Sequence, residues 1–132
     1  MKTKLNKTIL VADDDVDYLE QIKLQVKEFG FDVITAGSQK EAEKLMCEQR
    51  PDLALFDLMM ENQDSGFILS YKFKKLYPEV PVIIATAVTA ETGLVFNIEN
   101  SDDKNWIRAD KYLEKGLRPD QLHREINKLL KI

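Results

Sequence analysis

The sequence predicts a doubly wound α/β fold: a five-stranded parallel sheet covered by helices on both faces. Three observations predict it. Five short apolar runs recur along the 132 residues. Between them, apolar residues return every three or four positions, the period of a helix packed on one face. The third and fourth runs are continuously apolar rather than alternating, as strands buried on both faces are.

Each element can be justified in order. Residues 9–12 (ILVA) read as the first strand. Val16, Leu19, Ile22, Val26 and Phe29 then mark an amphipathic helix, which Gly30 ends. Residues 32–36 (DVITA) are β-branched and form the second strand. Ser38 and Glu41 make an S-x-x-E capping box for a helix whose apolar face is Ala42, Leu45 and Met46. Cys47 reads as a small apolar filler on that helix; as the single cysteine it excludes an internal disulfide. Residues 53–56 (LALF) form the third strand and end at Asp57. Gly66 precedes a helix with Leu69, Phe73 and Leu76 on one stripe, closed before Pro78.

Residues 80–85 (VPVIIA) form the fourth strand and end at Thr86, and residues 111–114 form a short fifth that ends at Lys115. Pro119, a good first helical residue, starts the last helix, with Leu122, Ile126, Leu129 and Leu130 inward. His123, the single histidine, lies in that helix away from the strand ends, in a structural or surface position. Residues 89–110 fit the pattern least: Leu94, Val95, Phe96 and Ile98 are interrupted by Gly93 and followed by a polar stretch and Trp106, a broken helix or two short ones. No linker or low-complexity stretch divides the chain, so a single domain over residues 1–132 is expected.

Composition narrows the function. A chain that is 44% hydrophobic and 32% charged supports a packed core rather than bulk disorder. A net charge of -4 argues against nonspecific nucleic-acid binding. No run approaches the roughly 18 apolar residues of a membrane span. The apolar run before the first acids is shorter than the about 7–15 residues of a secretory core. A soluble cytoplasmic protein, with neither nucleic acid nor membrane as partner, is expected.

Ligands in an open parallel sheet bind beyond the carboxyl ends of the strands. Strand one delivers Asp13, Asp14 and Asp15 there, strand three Asp57, strand four Thr86 and strand five Lys115. Each alone has an ordinary role as a helix cap, a strand-end hydroxyl or a surface lysine. Together they converge on one edge. Adjacent carboxylates repel by roughly 4 kcal/mol at 4 Å and an effective dielectric near 20, which calls for a cation among them. Clustered oxygens suit Mg²⁺, which takes one or two carboxylates, waters and a phosphate. A carboxylate is ionised at pH 7 and needs no general base, so Asp57 is a candidate nucleophile forming an aspartyl phosphate. Phosphoryl transfer asks chiefly for positioning and for cations on the equatorial oxygens. Mg²⁺ on Asp13 and Asp14 supplies one cation and Lys115 the other, while the Thr86 hydroxyl reaches a third oxygen.

The stretches ILVADDD, LALFDLMM, PVIIATA and YLEKG, in that order, resemble the receiver domain of two-component response regulators over the whole chain. The resemblance implies the flavodoxin-like strand order 2-1-3-4-5. It implies that Asp57 accepts a phosphoryl group from a histidine kinase or phosphotransfer protein, without the chain being an enzyme in the ordinary sense. It implies Mg²⁺ held by Asp13, Asp14 and Asp57 with the backbone carbonyl of Met59, and Thr86 and Tyr112 as a switch pair. Partners would include an effector protein or domain, read by residues 89–110, the fifth strand and the last helix. Met59 and Val88, both apolar, occupy the two positions that tune hydrolysis in the family, which predicts a persistent phosphoryl group.

Three features depart from the family pattern. Gly116 stands where the family has proline after its lysine, commonly through a cis bond. Glu61 stands where it has proline, in the stretch ENQDSG with one extra residue. Residues 87–114, which separate Thr86 from Lys115, make a longer segment than usual. The alternative to a phosphoacceptor is a degenerate receiver that binds a partner without phosphorylation. A flavin carrier of the same fold class is a poorer match, because three acids in the first loop would repel its phosphate.

Overall fold

A computed structural model of the chain describes residues 6–62, 64–86 and 109–132. The strands are β1 (Thr8–Ala12), β2 (Asp32–Ala36), β3 (Leu53–Asp57), β4 (Val82–Thr86) and β5 (Lys111–Glu114). The described helices are α1 (Val16–Glu28), α2 (Gln39–Glu48), α3 (Ser65–Leu76) and α4 (Pro119–Leu130). All strand pairs are parallel, and the sheet order is β2-β1-β3-β4-β5. This is the order that the resemblance implies. The expected irregular segment lies outside the described residues up to position 108.

Side-chain parity along the strands builds two cores. Odd-numbered Ile9, Val11, Leu53, Leu55, Ile83 and Ala85 pack with Ile22 and Val26 of α1 and Leu122 and Ile126 of α4. Even-numbered Leu10, Ala12, Ala36, Ala54, Phe56 and Val82 pack with Ala42 and Met46 of α2 and Leu69 and Phe73 of α3. Successive strand residues point to opposite faces, so continuous apolar runs are required where both faces are covered. Every residue of β3 and β4 is buried.

Several local expectations need correction. Val16 is 76% exposed: it is the first helical residue, and the inward face begins at Tyr18 and Leu19. Leu76, the last residue of α3, and Cys47 on α2 are also exposed. Cys47 follows Met46, and one helical step of about 100° turns it off the inward stripe. The fourth strand begins at Val82 rather than residue 80. Pro81 has no N–H to give the ladder, although its carbonyl accepts from the Ala54 amide at 3.1 Å. Gly30 ends α1 as expected, with φ 104° in the left-handed region. No described peptide bond is cis, that after Lys115 included.

Candidate functional site

Strand register brings the polar residues to one edge. Asp57 ends β3 opposite Ala85, and Thr86 ends β4 opposite Glu114. The Lys115 amide donates to the Thr86 carbonyl at 2.8 Å. On the other side of β3, Ala12 lies opposite Phe56, and the Asp13 amide donates to the Ala36 carbonyl at 3.0 Å. Asp13, Asp57, Thr86 and Lys115 therefore leave four adjoining strand ends together.

Their side chains meet. Lys115 Nζ lies 3.0 Å from Asp13 Oδ2 and 2.9 Å from Asp57 Oδ1. Asp13 is 2% exposed and Asp57 3%, whereas Asp14 is exposed at the rim. One carboxylate oxygen from each of Asp13, Asp14 and Asp57 falls within 4.8 Å of the others. Asp57 Oδ1 receives no directed hydrogen bond among the described residues, although the ammonium stands within ion-pair distance of it. Among the described residues, three carboxylates around one ammonium leave this pocket short of positive charge, and the all-oxygen donor set fits a hard divalent cation.

The Asp57 pKa is raised to about 7 by the balance of burial, which raises it most, Lys115, which lowers it, and Asp13 and Asp14, which also raise it. An ion pair by itself would lower an acid. The upward direction holds because Asp13 shares the same ammonium and the carboxylate has little water. Burial also works against the Lys115 ammonium, but Asp57 and Asp13 together hold its pKa above the ordinary lysine value.

The third acid of the run has a different task. Asp15 Oδ1 accepts from the amides of Asp17 at 3.1 Å and Tyr18 at 3.2 Å, capping α1. Its own amide donates to Asp13 Oδ1 at 2.9 Å. This cap sets Tyr18, whose ring centroid lies 4.9 Å from Lys115 Nζ. Burial pushes the Tyr18 phenol up to about 12. Tyr18 escaped sequence reasoning; its one signal was its place in the first turn after the acids.

The loop after β3 is equally constrained. The Gly66 amide donates to the Leu58 carbonyl at 2.8 Å, and a Cβ at Gly66 would stand 2.6 Å from the Asp57 carbonyl oxygen. Glu61 reaches across to α2, accepting from the Gln39 amide at 2.7 Å and the Lys40 amide at 3.1 Å. Ser38 Oγ takes the Glu41 amide at 3.0 Å. The expected box is therefore only half made by Ser38 and Glu41, and Glu61 takes the remaining first-turn donors. Slight desolvation opposes the Glu61 charge, but the two amides hold its carboxyl below the usual range.

Thr86 is buried. Tyr112 lies opposite Ile84 and is half-buried, its ring edge-on to Phe67 at 6.4 Å and 74°. Met59 packs on the same cluster of Leu58, Phe67 and Ile84. Val88 lies outside the described residues. His123 is away from this edge and stacks on Phe29 at 4.1 Å, the structural place expected for it.

Residues 9–127 match the family model of the response regulator receiver domain. The chain belongs to this family. This receiver is 28% identical over 127 residues to the alkaline phosphatase synthesis transcriptional regulatory protein PhoP of Bacillus subtilis (strain 168), covering 96% of this chain and 50% of that protein. It is 27% identical over 129 residues to the phosphate regulon transcriptional regulatory protein PhoB of Pseudomonas aeruginosa, with coverage of 96% and 53%. The receiver thus spans about half the length of these two regulators. Among solved structures, the receiver domain protein of Methanospirillum hungatei JF-1 superposes with a TM-score of 0.80 at 27% identity, covering 96% of this chain and 94% of that one. The receiver domain of the Francisella response regulator 1452 gives 0.76 at 30% identity, with coverage of 96% and 98%.

Proposed function

We propose that this receiver accepts a phosphoryl group on Asp57 from a histidine kinase or phosphotransfer protein, and that the whole of residues 1–132 acts as that unit. The observation that carries the proposal is the meeting of Asp13, Asp14, Asp57 and Lys115 at the carboxyl edge of the sheet, with two of the acids buried. Asp57 sits at the end of the central strand, where a backbone buried on both sides holds it still. One of its oxygens forms the new O–P bond as the P–N bond of phosphohistidine breaks. The electron pair returns to the imidazole nitrogen, which takes up a proton.

Asp13, Asp14 and Asp57, with the backbone carbonyl of Met59, would hold Mg²⁺, which supplies positive charge to the transferring oxygens. Lys115 would supply a second positive charge, and the Thr86 hydroxyl would donate to a third oxygen. Thr86 and Tyr112 would form the switch: Thr86 ends the strand beside Asp57, and Tyr112 is only half-covered against Phe67. The output is a change in protein contact rather than turnover of a substrate, so the chain is not an enzyme in that sense. An effector protein or domain would read residues 89–110, β5 and α4. A cytoplasmic place fits this role, and no described helix is long and apolar enough to cross a membrane. The degenerate, phosphorylation-independent reading has no observation in its favour, since each of the five polar positions is filled.

The test is intact mass after incubation with phosphoramidate or acetyl phosphate and Mg²⁺. One phosphoryl group is expected, absent without Mg²⁺ and absent in Asp57→Asn. Equal phosphorylation of Asp57→Asn would overturn the assignment.

A further inference from the structure

We propose that Tyr18 is a positioning residue for the proposed phosphoryl transfer: its ring is the restraint that keeps the Lys115 ammonium over the acceptor pocket. The proposal rests on the reading of Asp57 as phosphoacceptor.

Lys115 needs such a restraint. Its backbone is pinned to Thr86, but a four-carbon stem with freely rotating bonds separates that anchor from Nζ. The loop that follows gives no wall, since a Cβ on Gly116 would meet nothing within 4 Å. Among the described residues, three contacts hold the side chain: Asp13 Oδ2, Asp57 Oδ1 and the face of Tyr18. Two of these are the carboxylates whose charge the reaction itself uses. A cation in the pocket competes with Lys115 for both, and the new O–P bond takes up an oxygen of Asp57. Of these three, the ring remains available throughout, because an aromatic face attracts an ammonium without a formal charge that an incoming cation would seek.

The ring is also fixed in its own right. Tyr18 packs against the core cluster that includes Ile22 and Leu55, and its amide is held by the Asp15 cap. A line of contacts thus runs from Asp15 through the first turn of α1 to Tyr18 and on to Lys115. It gives the third acid of the DDD run a part in the site without making it a ligand.

The test compares the wild-type chain with Tyr18→Phe, Tyr18→Leu and Tyr18→Met, and reads two quantities. The first is the NMR shift of the Lys115 ε-methylene, recorded without metal or phosphodonor. The Tyr18 ring current displaces it in the wild type and in Tyr18→Phe, and the displacement vanishes in Tyr18→Leu and Tyr18→Met. The second is the rate of phosphorylation by acetyl phosphate at saturating Mg²⁺. It falls about tenfold in the leucine and methionine variants and stays within about twofold in Tyr18→Phe, the scale expected when a reacting group loses its alignment. Methionine fills similar volume and keeps the comparison valid if leucine fails to fold. A Lys115 shift that does not depend on the ring overturns the proposal. So does a rate unchanged by ring removal, or a Tyr18→Phe rate as low as that of Tyr18→Leu. A wild type that never gains a phosphoryl group overturns the acceptor reading instead, while the shift still decides whether the ring holds Lys115.

Discussion

Lys74 Nζ lies 2.8 Å from Asp110 Oδ2, at the end of the sheet opposite Asp57. The same carboxylate oxygen accepts from the Val82 amide at 2.7 Å, and the Asp110 amide donates to the Val82 carbonyl at 2.8 Å. Asp110 thereby ties α3 to the starts of β4 and β5. The two partners are not equivalent: Lys74 is 8% exposed, whereas the Asp110 side chain keeps contact with water. Asp110→Ala strands a buried ammonium and is expected to cost about 3 kcal/mol, whereas Lys74→Met leaves a half-solvated carboxylate and costs less. Urea unfolding of both variants checks the order. Equal losses would mean that the Lys74 charge is not what matters.

The raised pKa of Asp57 predicts an unusual pH dependence. In the folded state the carboxyl titrates near 7, against an ordinary 3.8, so folding tightens its proton. That contribution to stability is fully present below pH 3.8 and is lost as pH rises to about 7. Lys115 is also raised, but its contribution persists across this window and falls only above its ordinary value. Without divalent cations, Asp57→Asn should therefore gain on wild type as pH rises from 4 to 7.5, by on the order of 2 kcal/mol at the upper end. Parallel stability curves for the two proteins would show that Asp57 is not strained by its burial.

Mg²⁺ should reverse that strain. A ligand bound by the native state alone adds about 1.4 kcal/mol at ten times its dissociation constant. Thermal melting of wild type should rise with millimolar Mg²⁺, and that of the double variant Asp13→Asn/Asp14→Asn should not. An equal rise in both would place the ion elsewhere.

The two glycines near the site should respond oppositely to alanine. At Gly66 the new carbon meets the backbone of Asp57 and Leu58 at 2.6 and 2.8 Å, neither of which is a flexible side chain. Overpacking of this kind costs about 1–3 kcal/mol, and here it also displaces Asp57. Gly116→Ala enters open space and should be neutral within about 0.5 kcal/mol. Chemical denaturation with phosphorylation kinetics on both variants separates the cases.

Much of this was legible in the chain itself. The apolar runs LALF and VIIA are continuous because parity sends Leu55 and Ile83 to one core and Phe56 and Val82 to the other. Asp13, Asp57, Thr86 and Lys115 stood out because each follows such a run, and parallel strands carry their ends to one edge. What stayed hidden depends on distances between elements. Periodicity placed Val16 on the inward stripe, but where a helix first meets its sheet is a tertiary matter. The tasks of Asp15, Tyr18 and Glu61 likewise come from which amide or ammonium lies opposite, and no spacing along the chain encodes that. The shift of Asp57 arises from burial by neighbours distant in sequence.

The grip of Glu61 on Gln39 and Lys40 has a practical consequence. These two amides donate to a residue four places beyond Asp57, so their exposure to solvent depends on where that loop stands. Their deuterium uptake and nitrogen-15 resonances become a remote gauge of events at Asp57. A probe there leaves Asp13, Asp57 and Lys115 untouched, and it would register movement of the loop when Mg²⁺ or a phosphodonor is added.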